Sequence, residues 1–164
     1  MSKTEKNLAE AFAGESQANR KYLAFAKKAE EEGLAQVAKL FRAAAAAETV
    51  HAHAHLRVMK GVGDTAENLK EAVGGETHEF TDMYPQMIED AKKEDNKAAL
   101  MSFMYANAVE KIHAELYQKA LDAMAALEET TYYVCDVCGN TVEGEAPDKC
   151  PICGVSKDHF MKID

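Results

Sequence analysis

Glu48-Thr49-Val50-His51 is followed, 62 residues further on, by Glu110-Lys111-Ile112-His113. In each tetrapeptide a carboxylate and an imidazole stand three positions apart, about one helical turn, so both leave the same face of a helix. A second echo accompanies the first: Gly14-Glu15-Ser16 returns after 61 residues as Gly75-Glu76-Thr77. The near-equal separations read as two helix pairs, one a copy of the other, joined through Gly61-Val62-Gly63-Asp64. A single Glu-x-x-His on a charged helix is ordinary solvated surface. Two of them, each matched by a Gly-Glu-Ser/Thr segment in the preceding helix, are not. Glu15 is moreover flanked at helical spacing by Ala11, Phe12, Ala18 and Tyr22. That is a core face, where an acidic side chain is costly unless paired or metal-bound.

Outward from these motifs the chain is rich in Ala, Glu, Lys, Met and Leu, all strong helix formers. Breaks at Gly33, at Gly61–Asp64 and at Glu94-Asp95-Asn96 predict helices over about 4–31, 34–60, 65–93 and 96–127. None can bury its apolar stripe alone, and a four-helix bundle is the simplest solution. One Glu from each of two helices plus Glu-x-x-His from each of the other two is the ligand pattern of ferritin-like di-metal bundles. It selects Glu15, Glu48, His51, Glu76, Glu110 and His113. Carboxylates can bridge two ions and balance their charge, while one imidazole per ion leaves coordination positions open. Glu79 follows Glu76 by three residues, where the position matching it after Glu15 is Ala18; it is an extra carboxylate on the metal-facing stripe. Tyr22 and Tyr84 lie seven and five residues from Glu15 and Glu79, within reach to donate a phenolic hydrogen bond to a ligand. His53, His55, His78 and His159 stay outside this set.

After Glu128-Glu129-Thr130-Thr131 the composition changes to Val, Tyr, Gly, Pro and Cys, suited to short strands and turns. Cys135-Asp-Val-Cys138-Gly139 and Cys150-Pro-Ile-Cys153-Gly154 form two similar knuckles, and the first 134 residues contain no cysteine. Two domains are expected, 1–131 helical and 132–164 a small module built on a tetrathiolate metal. The module is too short to bury a core of its own. Spacing alone fits zinc and iron equally; a redox-active bundle in the same chain favours iron. The 28 acidic residues against 19 Lys and Arg, net charge −9, argue against nucleic acid, which needs clustered cations. No membrane partner is expected, since no window reaches the roughly 18 consecutive apolar residues of a span. Met1-Ser2-Lys3-Thr4-Glu5-Lys6 is not followed by a signal-like apolar region, so a cytoplasmic location is expected.

Phe12-Ala13-Gly14-Glu15-Ser16-Gln17, Glu48-x-x-His51, Gly75-Glu76-x-x-Glu79, Met83-Tyr84-Pro85, Glu110-x-x-His113 and the two cysteine knuckles occur in that order. In this the sequence resembles the rubrerythrin family over essentially its whole length. The resemblance implies a mainly α protein, a ferritin-like di-iron four-helix bundle followed by a rubredoxin-like domain with one iron on four thiolates. It implies that Glu48 and Glu110 bridge the two bundle irons, which share an oxo bridge when oxidised. Glu15 with His51 or Glu79 would then serve one iron, and Glu76 with His113 the other. The first iron moves between Glu79 when oxidised and His51 when reduced, and Tyr22 and Tyr84 match the tyrosines beside the centre. The implied activity is a peroxidase that reduces hydrogen peroxide to water in oxidative-stress defence. Its electrons come through the cysteine site from a rubredoxin or an NAD(P)H-dependent reductase, in a homodimer where that path runs to the partner subunit's bundle. A ferritin-type ferroxidase or iron-binding protein is the alternative, and it gives the four cysteines no role.

Overall fold

Ser2 and Glu5 open the first helix with a reciprocal cap. Glu5 N–H donates to Ser2 Oγ and Ser2 N–H to the Glu5 carboxylate. This helix, α1, runs Lys3–Glu31 in a computed structural model that describes residues 1–163; Asp164, the final residue of the expected second domain, lies outside them. Gly33 ends it at φ +75°, a left-handed conformation that costs glycine nothing. There Leu34 N–H bonds back to Ala29 C=O and Gly33 N–H to Glu30 C=O. The turn is short, so α2 (Ala35–Val58) returns antiparallel along α1. The seam between them is made of small side chains. Ala26 and Ala29 from α1 and Ala38, Ala45 and Ala52 from α2 are buried. The three alanines of α2 are spaced by seven, the repeat of a coiled-coil seam. Asn19 pins the register across the seam, its amide donating to Ala45 C=O at 2.7 Å and to Thr49 Oγ1 at 2.8 Å. These residues form one compact unit, Met1–Gly63; Asp64–Asp164 form the second.

The second unit opens with another reciprocal cap, Asp64 with Glu67, at the start of α3 (Thr65–His78). The single helix expected over 65–93 is interrupted. A π-helical turn occupies Glu79–Met83, and α4 (Tyr84–Lys93) follows. The physical reason is Pro85, which lacks the N–H that would bond to Thr81 C=O and whose ring crowds that carbonyl. The chain widens by one residue to accommodate it, and Tyr84 N–H reaches back five residues to Glu79 C=O. Asn96 caps α5 (Lys97–Ala123) by accepting from Ala99 N–H at 3.1 Å. Both α3 and α4 pack on α5.

Beyond α5 three short strands, β1 (Tyr132–Cys135), β2 (Thr141–Glu143) and β3 (Phe160–Ile163), form an antiparallel sheet in the order β2-β1-β3. Its small core consists of Cys135, Ala146, Cys150 and Phe160. The module rests on α5 of the same unit. A side chain at Gly139 would begin 3.7 Å from the buried Val109. Lys119 pairs with Glu143 at 2.7 Å, and Tyr132 donates to the same carboxylate at 3.3 Å. The chain is thus mainly α with a small β module, the class the sequence implies. Among the described residues no helix is long and apolar enough to cross a membrane.

Candidate metal centres

Each compact unit carries one carboxylate–imidazole set. In the first, ligand atoms of Glu15, Glu48 and His51 lie within 4.8 Å of one another. In the second, Glu76, Glu110 and His113 do the same. The i,i+3 spacing does the local work: His51 Nδ1 stands 2.8 Å from Glu48 Oε2, and His113 Nδ1 stands 2.8 Å from Glu110 Oε2. Glu76 Oε1 approaches His113 Nδ1 from α3 at 3.9 Å. Burial, and then the neighbouring carboxylates of Glu110 and Glu79, raise the Glu76 carboxyl above its ordinary range. Glu79, first residue of the π-turn, lies outside the three-membered cluster but close enough for its charge to be felt by Glu76 and Tyr84. Tyr84 is pushed upward by burial and then by Glu110, Glu79 and Glu76, so its phenol stays protonated beside three carboxylates. Tyr22 stands in the first unit in an aromatic group with Phe25 and Phe41, ring centres 6.3 and 6.2 Å away.

The second set holds an internal clue to what it binds. Thr141 has one hydroxyl hydrogen and gives it to Gly139 C=O at 3.1 Å. The same oxygen stands 2.9 Å from His113 Nε2, and on the other side of the ring Nδ1 stands 2.8 Å from Glu110 Oε2. An imidazole whose far nitrogen is tied by a hydrogen bond, facing carboxylates, is the donor set of a transition metal.

The four cysteine sulfurs also lie within 4.8 Å of one another, Cys135 to Cys153 at 3.7 Å and Cys138 to Cys150 at 3.5 Å. A disulfide needs about 2.05 Å. A tetrahedral ion with metal–sulfur bonds of about 2.3 Å has sulfur–sulfur edges near ~3.8 Å, so the cage has the size of a tetrathiolate site. Gly139 and Gly154 both take φ +81° and close the two knuckles with N–H bonds of 2.9 Å to Cys135 and Cys150 C=O. Burial pushes the Cys138 and Cys153 thiols up. Burial acts on Cys150 in the same sense, but N–H groups of Cys153 and Ile152 and the neighbouring thiols outweigh it and bring Cys150 down to about 7. The fully buried Asn140 donates to Cys150 Sγ at 3.7 Å.

Sequence reasoning missed Asn140, Thr141 and the π-turn. Pro85 is the one signal in the sequence for the π-turn. Of the histidines left out, His78 stands 3.7 Å from Asp82 and His159 2.8 Å from Asp136.

Residues 6–121 match the family model "Rubrerythrin", and residues 133–161 match "Rubrerythrin, rubredoxin-like domain". The chain belongs to the rubrerythrin family. Rubrerythrin-2 of Clostridium acetobutylicum is 37% identical over 94% of this chain and 93% of its own length. Nigerythrin of Nitratidesulfovibrio vulgaris is 37% identical over 96% of this chain and 85% of its own. A solved structure of nigerythrin in a partially reduced state superposes with a TM-score of 0.60 at 36% identity, covering 99% of this chain and 88% of that one. The rubrerythrin assignment and the clusters together give the cofactors: a di-iron centre on the Glu and His ligands, and one iron on the four cysteines. Rubrerythrins are oxidoreductases, and this chain is an oxidoreductase of that kind.

Proposed function

We propose that the protein is a peroxidase that reduces hydrogen peroxide to water, its electrons arriving through the tetrathiolate site. One observation carries this reading: a single chain holds both a carboxylate-rich set with one imidazole per unit and a sulfur cage of tetrathiolate size. The ligands are Glu15, Glu48, His51, Glu76, Glu79, Glu110 and His113 for two irons, and Cys135, Cys138, Cys150 and Cys153 for the third. Bound iron supplies one electron per ion, so a pair matches the two electrons that cleaving one O–O bond consumes.

The chain's own residues do the rest. Glu48 and Glu110 offer two oxygens each and can bridge. His51 and Glu79 are alternative ligands for one ion, an imidazole and a carboxylate whose exchange follows its oxidation state. Tyr84, kept protonated among Glu76, Glu79 and Glu110, is the phenol available to donate a hydrogen bond to a ligating carboxylate; Tyr22 has the matching part in the first unit. Functionally the division falls at 131/132, the helices serving peroxide and the module serving the donor, a rubredoxin or an NAD(P)H-dependent reductase. The protein works as a homodimer. Large apolar side chains exposed along α2, Leu40, Val50 and Val58, support association. A reducing compartment, the cytoplasm, suits four cysteines kept as thiolates.

The test is to reduce the iron-loaded protein anaerobically and add one equivalent of peroxide. Rapid reoxidation of the bundle irons, much faster than with dioxygen, is expected. Reoxidation no faster with peroxide than with dioxygen overturns the peroxidase reading.

A further inference from the structure

Each compact unit carries half of a di-iron cage. Met1–Gly63 holds Glu15, Glu48 and His51, and Asp64–Asp164 holds Glu76, Glu110 and His113. A cage with Glu48 and Glu110 as bridges needs both halves facing one pair of ions. The link between the halves decides whether one chain can bring them together. In a ferritin-like bundle the second and third helices are joined by a long crossover that carries the chain back along the bundle. Here α2 has 24 residues, about 36 Å at ~1.5 Å per residue. Residues 59–64 alone separate Val58 from Thr65, and fully extended they reach roughly 25 Å at most. They are not fully extended. Lys60, at φ +58°, and Gly61 turn the chain back onto α2, their N–H groups bonding to Arg57 and Leu56 C=O at 3.0 Å. Asp64 is occupied in the cap of α3. The return is too long for this link. The first unit also shows which of its surfaces wants cover. Val37, Leu40 and Val58 share with Glu48 and His51 one stripe of α2 about 80° wide, and all three apolar side chains and His51 are exposed. Ligands set among exposed apolar side chains mark the inner face of a bundle.

We propose that two copies of this chain exchange halves. The α1–α2 unit of one copy packs on helices α3, α4 and α5 of the other. Each carboxylate cage then takes Glu15, Glu48 and His51 from one chain, and the partner's Glu76, the partner's Glu79, the partner's Glu110 and the partner's His113 complete it. A dimer holds two such cages and a single chain holds none. The link has only to carry the chain from one bundle into the next, a step that begins at the end of α2, and a short hinge of this kind favours exchange over closure. The occupant of the stripe on α2 is a second copy of the same chain, because the matching ligands lie in that chain's own second unit. The exchange presupposes the homodimer of the proposed function and no peroxide chemistry.

Glu48→Gln with His51→Ala disables the first half of the cage, and Glu110→Gln with His113→Ala disables the second. The two full-length double variants carry different affinity tags, are co-expressed, and are purified through both tags so that only mixed dimers remain. In a mixed dimer of exchanged halves, one cage unites both defective halves and the other both intact ones. The expected carboxylate-site iron is therefore about half that of the wild-type dimer, against little in either variant alone. It is read as total iron less the thiolate iron measured from its visible colour. A second pair, Glu15→Ala against Glu76→Ala, repeats the comparison where the double changes prevent folding, as judged by circular dichroism. Mixed dimers holding no more carboxylate-site iron than either variant alone overturn the proposal, since each cage would then lie within one chain. Failure of two differently tagged wild-type chains to purify together overturns it as well, and removes the homodimer with it. Peroxide enters neither comparison, so restored iron without peroxide turnover would remove the peroxidase reading and leave the exchange standing.

Discussion

Glu79 shows what one carboxylate adds to a repeated motif. Its counterpart in the first helix pair is Ala18, so the two units are not equivalent, and the difference falls where an ion could change ligands. Glu79→Ala should slow peroxide turnover by about 10–100-fold and leave the iron–thiolate spectrum unchanged; steady-state rates beside the visible spectrum check both. Glu76 makes a prediction for the metal-free protein. Its carboxyl is raised by burial and then by Glu110 and Glu79. Such a group contributes stability that is complete below the ordinary carboxylate range and lost as pH rises through its folded value. Metal-free protein should therefore melt at lower temperature near neutrality than in mild acid, and Glu76→Gln should flatten the difference in a calorimetric series. Asn19 acts at the same scale without touching the ligands. Asn19→Ala removes the tie between α1 and α2 and should cost about 1 kcal/mol, read from denaturant unfolding.

Among the elements, the π-turn is the one with a functional consequence. An inserted residue rotates everything after it by about 100° relative to a continuous helix, so Tyr84 leaves the helix on a face that a plain α-helix would not give it. Pro85→Ala restores a donor for Thr81 C=O and lets the segment relax toward α-helix. The expected result is a higher melting temperature together with a lower peroxide rate, since the tighter turn withdraws Glu79 and Tyr84 from their positions. The alanine seam of the first unit makes the complementary point. Ala38, Ala45 and Ala52 are buried because α1 and α2 approach closely, and this closeness sets Glu15 beside Glu48 and His51.

Over the whole molecule, metal and fold are linked differently in the two parts. The helices have caps, seams and stripes of their own, whereas the C-terminal sheet closes on a core that includes two of its cysteines. Acidification should expel the tetrathiolate metal as its thiolates take up protons. Colour should then be lost with the helical circular dichroism largely intact; simultaneous loss of both would show that the module's metal also supports the helices.

Residue order alone carried the helical class, the duplicated helix pairs, the two groupings of carboxylates with an imidazole, and the paired cysteine knuckles. These depend on spacing within a helix or a knuckle, and local spacing is written directly in residue order. Tertiary structure alone decided the π-turn's effect on Glu79 and Tyr84, the Asn19 clasp, and the meeting of His113 with Thr141. The clasp and that meeting join residues 26 and 28 positions apart. They exist only because α2 folds back along α1 and because the sheet docks on α5, and side-chain burial between elements, not periodicity within one, fixes those choices.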